Sequence, residues 1–289
     1  MSRVRTAVFP VAGLGTRMLP ATKVLPKEML PVVDKPIVQY ALEEAATAGI
    51  ETYVFVTGRG KSLIEDHFDR AFELFETLIQ KEKHELLNQL EDGLSRPGNI
   101  VYTRQQQPKG LGHAVWCARH VVGDDPFAVV LVDDLICGRQ SCLSQMVDAY
   151  SNVGGNVVAL VDVPNEHTSR YGVIEPGEQH GNLVEIKAIV EKPAPEEAPS
   201  NFAVVGRYIL APQIMTILED LAPGAGGEIQ LTDAMAAMIG ESPFHGLRFD
   251  GRRFDCGNKL GYFEAQLALA VDHEEIGGDV RRLIAAYTG

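Results

Sequence analysis

The sequence predicts an α/β fold: a doubly wound, mostly parallel sheet with an antiparallel extension and C-terminal helices. Three observations predict it. Apolar runs of five or six residues alternate with helix-length segments through the first half, the rhythm of strands joined by right-handed helical crossovers. Glycines, amides, cations or paired carboxylates follow the end of each early run. Beyond residue 170 the runs are instead joined by short polar connections, as antiparallel neighbours are.

Taken in order, the first strand spans 6–11 and runs into glycines. Residues 37–48 have helical periodicity and stop at Gly49. A second strand over 52–57 leads into Gly58-Arg59-Gly60, and a charged helical region follows over 62–90, broken in its middle. Strands over 100–104, 127–132 and 157–163 alternate with helices over 112–121 and 143–151. Strands over 171–175, 183–191, 202–210 and 245–249 then precede or intersperse helices over 212–221, 229–239 and 259–271. The run Pro193–Pro199 (PAPEEAP) reads as an exposed turn.

At 289 residues, 45% hydrophobic and 22% charged, the chain can bury a substantial core. No apolar stretch approaches the length needed to span a bilayer, and Pro10 with the nearby glycines interrupts any signal-peptide core. The expectation is a cytoplasmic protein with no membrane partner. Cys117, Cys137, Cys142 and Cys256 form no CxxC pair and read as reduced thiols. The net charge of −13 argues against nucleic acid as a partner. A phosphate-bearing ligand would need a local basic site, and residues 13–35 supply one: Arg17, Lys23, Lys27 and Lys35 stand against only Glu28 and Asp34.

In a sheet of this kind ligands gather beyond the carboxyl ends of the strands. The first such loop, Ala12-Gly13-Leu14-Gly15-Thr16-Arg17, is not a P-loop, and Met18 stands where a dinucleotide fingerprint needs its third glycine. That excludes a nicotinamide dehydrogenase. Arg17 offers a planar fork to phosphate oxygens and Lys27, in a proline-stiffened loop, a compact charge; read singly, each is also an ordinary surface cation. Asp133 closes an apolar strand, so its carboxylate is a hard oxygen ligand suited to Mg²⁺, or else a turn cap. Asp134 should point elsewhere. Asp255 reads equally as a second metal ligand or as the cap of the helix starting near Lys259. Gln105, first of three glutamines, can donate to and accept from a pyrimidine edge, and Gly112 could let backbone approach that base; polar filler is the plain alternative. His113 has no nucleophile beside it and reads as structural. Glu191-Lys192-Pro193 would suit a phosphorylated sugar, though the tripeptide is common on surfaces.

Together, Ala12–Arg17, Leu25-Pro26-Lys27-Glu28-Met29-Leu30-Pro31, Lys109-Gly110-Leu111-Gly112-His113-Ala114, Asp133, Glu191-Lys192-Pro193, Val205-Gly206-Arg207-Tyr208, Gly227–Asp233 and Asp255–Tyr262 resemble the sugar nucleotidyltransferase superfamily. The likeness runs from Ala7 to about Ala270. It implies a Rossmann-like fold in a single nucleotidyltransferase domain, with a nucleotide-binding part over about 1–165 and a sugar-binding part with C-terminal helices over about 166–289. It implies magnesium-dependent joining of UTP to glucose 1-phosphate, giving UDP-glucose and pyrophosphate. Ala12, Gly13, Gly15, Gln105 and Gly112 would hold the nucleotide. Arg17, Lys27, Asp133 and Lys192 would be catalytic, with Asp133 and Asp255 on Mg²⁺. Gly172, Glu191, Val205, Gly206 and Glu228 would contact the sugar. The same chemistry with dTTP or another sugar 1-phosphate, and a non-catalytic regulatory relative, are the alternatives; the presence of Arg17 argues for activity. A homodimer or homotetramer is expected, with apolar Phe68, Phe72, Leu74, Phe75 and Leu78 as a candidate subunit contact.

Overall fold

The computed structural model describes residues 2–92 and 97–288. Its strands in chain order are β1 (Thr6–Pro10), β2 (Pro31–Val32), β3 (Lys35–Pro36), β4 (Thr52–Thr57), β5 (Ile100–Arg104), β6 (Phe127–Val130), β7 (Asp134–Cys137), β8 (Asn156–Asp162), β9 (Gly172–His180), β10 (Leu183–Glu191), β11 (Phe202–Leu210), β12 (Phe244–Arg248) and β13 (Arg252–Asp255). The helices are α1 (Ile37–Thr47), α2 (Ser62–Phe68), α3 (Phe72–Gln80), α4 (His84–Asp92), α5 (Leu111–Trp116), α6 (Arg119–Val122), α7 (Cys142–Val153), α8 (Ile214–Asp220), α9 (Leu231–Met238), α10 (Lys259–Asp272) and α11 (Gly277–Thr288).

Nine strands form the main sheet in the order β5-β4-β1-β6-β11-β8-β12-β10-β9. The first four are parallel. β11 runs antiparallel to both β6 and β8, and β10 antiparallel to β12 and β9. The α/β class and the antiparallel extension are therefore as expected. The difference lies at β8, which read as continuing the parallel series and is instead separated from β6 by β11. Eight of the nine residues of β11 are buried, so this apolar run needs neighbours on both edges and both faces. β9 also reaches β11 at Ala203↔Val173, so the last five strands close on themselves at one point.

Each strand divides its side chains between two cores. Phe9, Phe55 and Val130 face α1 and α7. Their chain neighbours Val8, Val54 and Val129 face α5, α8 and α9 on the other side. Such two-sided burial turns the early strands into continuous apolar runs. The region 62–90 is broken twice rather than once, giving α2, α3 and α4. Phe68 and Phe75 are buried, Phe72 and Leu74 are exposed and Leu78 is half-buried, so the suggested surface patch loses its two buried members. The helix expected over 112–121 breaks between α5 and α6, and α11 was not anticipated. Among the described residues no helix is long and apolar enough to cross a membrane.

A buried ion pair locks the layers together. Arg207 on β11 is 1% exposed. Its Nη2 lies 2.6 Å from Glu44 Oε2 on α1, and its Nη1 donates to Leu131 O and Gly206 O, both at 2.9 Å. Glu44 Oε1 also accepts the Leu143 amide of α7 at 3.0 Å. Removing one partner strands a buried charge, which costs about 3–5 kcal/mol. Arg207→Leu is expected to lower stability by that amount in chemical denaturation. Arg207→Lys should recover little of it, because an ammonium cannot reproduce the planar fork.

Candidate active site

Two cavities open along the carboxyl ends of β1, β5 and β6. The smaller, about 350 Å³, is walled by Ala12, Gly13, Gly15, Gln105 and Glu228 among others. The larger, about 640 Å³, is lined by Arg17, Asp133, Asp255, Gly172, Glu191, Lys192, Val205 and Gly206. Leu111 belongs to both walls, so the two spaces adjoin. Loops from widely separated parts of the sequence therefore meet at one rim, as the motif reading requires.

Asp133 follows β6 and is the electrostatic centre. Its Oδ2 lies 2.6 Å from Lys27 Nζ and 3.8 Å from Arg17 Nη2. Burial works against its ionised form, but Lys27 and Arg17 outweigh burial and hold the carboxyl below its usual range. Lys27 is likewise opposed by burial, yet Asp133 and Glu28 raise it above its ordinary value, so it stays charged. It lines neither cavity and acts from beneath. Glu28 is pushed up by burial, opposed by Lys61, whose Nζ sits 2.6 Å from Glu28 Oε2; among the described residues Glu28 Oε1 has no partner.

The neighbouring acid has a different task. Asp134 Oδ2 accepts the Gly206 amide at 2.9 Å, and Oδ1 accepts from Arg253 Nε at 2.7 Å. A Cβ on residue 206 would lie 2.5 Å from Asp134, so only glycine allows this approach. Asp134 also lines the larger cavity, but both its oxygens are committed to the fold, whereas Asp133 stands against Lys27 and Arg17.

Asp255 reaches the same place through a ribbon that the strand pattern did not reveal. β13 pairs antiparallel with β7, setting Asp255 opposite Asp134, and the Cys256 amide donates to Asp133 O at 2.8 Å. The cap of α10 is Asn258, whose Oδ1 accepts the Gly261 amide at 2.9 Å. Asp255 is therefore not the cap, and its Oδ1 accepts the Gly257 amide at 3.0 Å instead. A methyl-sized point above Gly257 would lie 2.6 Å from Arg17 Nη2, 2.7 Å from Asp133 Oδ2 and 3.0 Å from Asp255 Oδ1. Two carboxylate oxygens converging on one cradle fit a hard cation that takes its remaining ligands from phosphates and water. Among the described residues there is no set of three or more His, Cys, Asp or Glu side chains that would form a closed metal cage.

Lys192 lines the same cavity. Its backbone is left-handed at φ 48°, its amide donates to Tyr171 O at 2.9 Å, and its Nζ lies 2.9 Å from Glu191 Oε1. A non-glycine residue held in that region marks a site where surrounding structure over-determines the backbone.

Two expected residues stand elsewhere. Gly112 lines neither cavity: its amide donates to Ile229 O at 2.8 Å, and a Cβ there would meet Leu218 Cδ2 at 2.7 Å. The close approach it permits is to the segment before α9, not to a ligand. Glu228 walls the smaller cavity, with the glycine loop, rather than the larger one where a sugar contact was expected. Conversely, Arg170, Tyr171, Thr232, Arg253 and Asn258 line the larger cavity without having been singled out. Thr232 belongs to the recognised 227–233 run; nothing local distinguishes Arg253, whose strand pairs with a segment 115 or more residues earlier.

The buried Lys61–Glu28 pair anchors the turn that carries Lys27. Lys61→Met should cost roughly 3 kcal/mol by leaving Glu28 unpaired, and adding Glu28→Leu should restore most of it. Denaturant midpoints of the two single variants and the double variant provide the check.

Comparison with known proteins follows the same lines. The nucleotidyl transferase family model matches residues 7–271. A UTP–glucose-1-phosphate uridylyltransferase of Komagataeibacter xylinus is 48% identical over 266 residues, 92% of this chain and 94% of that protein. Two solved structures are also similar. A UTP-bound UGPase from Acinetobacter baumannii superposes with TM-score 0.90 at 43% identity, covering 98% of this chain and 99% of that one. A UDP-glucose pyrophosphorylase complexed with UDP-glucose superposes with TM-score 0.85 at 43% identity, covering 92% and 98%.

Proposed function

The chain belongs to the nucleotidyl transferase family, and from that premise we propose that it transfers a uridylyl group from UTP to glucose 1-phosphate, with Mg²⁺, giving UDP-glucose and pyrophosphate. The observation that carries this reading is the gathering of Arg17, Asp133 and Lys192 around one cavity of about 640 Å³. The adjoining glycine-walled space holds Gln105. The names of the similar proteins, one UTP-bound and one with UDP-glucose, support the choice of substrates.

Base, phosphates and sugar are apportioned accordingly. Gln105 Nε2 donates to Gly110 O at 3.0 Å and lies 3.0 Å from His113 Nδ1. With both amide hydrogens directed away, Oε1 is left to accept from a base, which suits the N3–H of uracil. Thymine presents the same N–H, so this contact does not distinguish UTP from dTTP. Ala12, Gly13 and Gly15 bring backbone against the nucleotide, and Glu191, Gly172, Val205 and Gly206 form the sugar wall.

In the reaction an already ionised phosphate oxygen of glucose 1-phosphate bonds to the α-phosphorus of UTP. The bond from that phosphorus to the oxygen bridging to the β-phosphate breaks, and pyrophosphate leaves with that oxygen. No proton moves and no protein nucleophile is required, so catalysis rests on positioning and charge. Lys192 aims the attacking phosphate. Arg17 and Lys27 stabilise the departing pyrophosphate and hold Asp133 ionised. Asp133 and Asp255 would hold Mg²⁺, which supplies positive charge to the phosphates when bound.

The direct test is pyrophosphate release from a grid of nucleoside triphosphates and sugar 1-phosphates, with and without magnesium. UTP with glucose 1-phosphate should be the preferred pair, and preference for another pair would overturn the substrate assignment. Asp133→Ala is expected to lower kcat on the order of a hundredfold or more; near-normal turnover would remove Asp133 from the mechanism. Lys192→Ala should raise KM for glucose 1-phosphate by about tenfold or more, the loss of one charge-assisted hydrogen bond. An unchanged KM for that substrate would refute its role.

A further inference from the structure

His113, which sequence alone left as a structural histidine, is connected to the residue assigned to read the base. It sits in the first turn of α5, and its Nδ1 lies 3.0 Å from Gln105 Nε2. The same Nε2 donates to Gly110 O at 3.0 Å. A carbonyl oxygen can only accept, so this contact fixes which end of the Gln105 amide faces Gly110. The second amide hydrogen then points at His113 Nδ1, which must be the unprotonated nitrogen, with the ring proton on Nε2. Among the described residues Gln105 Oε1 accepts no hydrogen bond, and Gln105 lines the smaller cavity.

The imidazole is itself braced. It stacks on Trp116 at 5.9 Å between ring centroids, and the Arg119 guanidinium lies over that indole at 3.4 Å. Burial, with Lys109 and Arg119 nearby, lowers the affinity of the ring for a second proton and favours the neutral form that can accept.

We propose that His113 is a positioning residue for nucleobase selection: by taking the second amide hydrogen of Gln105 it leaves only an acceptor for the base. The proposal rests on the reading above that Gln105 meets the base. A uracil edge offers N3–H to that acceptor. A cytosine edge offers the lone pair of its unprotonated N3, and two acceptors repel. A site committed to one hydrogen-bond polarity rejects the wrong partner because a polar group is then left unpaired. Without His113 only the Gly110 bond holds the amide, so a flip that presents a donor costs one hydrogen bond instead of two, and cytosine is penalised less.

The test compares kcat/KM for UTP and CTP, each with glucose 1-phosphate, in the unaltered enzyme and in His113→Leu, His113→Asn and Gln105→Ala. Expected is a fall of about tenfold in the UTP-over-CTP ratio for His113→Leu, the scale of one hydrogen bond. His113→Asn, which keeps an acceptor near the Nδ1 position, should restore the ratio to within about threefold, on the same scale. If His113→Leu lowers both activities equally, or His113→Asn fails to restore the ratio, His113 is only structural and the inference is overturned. If Gln105→Ala lowers the ratio while His113→Leu does not, the base-reading role of Gln105 survives and the inference alone fails. If Gln105→Ala leaves the ratio unchanged, the assignment of Gln105 to the base fails as well. Should His113→Leu not fold, nitrogen-15 NMR of the histidines in the unaltered protein decides. The His113 ring must carry its proton on Nε2, and a proton on Nδ1 overturns the proposal.

Discussion

The buried pair Arg207–Glu44 is the constraint on which the rest of the structure depends. One guanidinium joins β11, the carbonyl of Leu131 just past β6 and helix α1, while the partner carboxylate also receives the first turn of α7. The insertion of β11 between β6 and β8 thereby becomes definite. A strand placed there carries Gly206 and Val205 to the wall of the larger cavity and sets Asp134 against the Gly206 amide. Asp134 is committed to Gly206 and Arg253, while its neighbour Asp133 pairs with Lys27 and Arg17. A desolvated pair is costly to assemble, but it specifies one packing of the layers, and the cavity inherits that packing.

An acidic protein that handles polyanions must concentrate its cations, and the structure does this by stacking them. Lys61 neutralises Glu28, the turn bearing Glu28 presents Lys27 to Asp133, and Arg17 approaches the same carboxylate from the glycine loop. Acids and bases alternate from the interior to the rim. Lys27 and Asp133 each have a neighbour of opposite sign that outweighs burial and keeps them ionised. Lys192 adds a further cation to the same cavity, on a backbone held in the left-handed region.

Much of the framework was legible in the residues themselves. The runs at 52–57, 100–104, 183–191 and 202–210 are strands with those bounds: two-sided burial leaves 52–57 and 202–210 continuously apolar, and one-sided burial leaves 183–191 alternating. The rim residues Arg17, Asp133 and Lys192 were also legible, each from a loop that follows a strand. What was hidden has a common cause. The β7–β13 ribbon is four residues on each side and unites segments more than a hundred residues apart, so neither strand carries a local pattern strong enough to announce it.

By itself the sequence determined which chemical groups were present and roughly where each emerged from a strand: two cations near a glycine loop, an acid at the end of β6, an acid and a lysine at the end of β10. Only the tertiary structure decided their assignments. Both Asp133 and Asp134 line the cavity, but Asp134 is committed to Gly206 and Arg253 while Asp133 meets Lys27 and Arg17; Asp255 lies beside them while Asn258 caps the helix, Gly112 serves packing, and His113 grips Gln105. The reason is that periodicity and spacing report on neighbours along the chain. Hydrogen-bond partners and charge pairs are fixed by contacts across it, because burial makes an unpaired polar group costly.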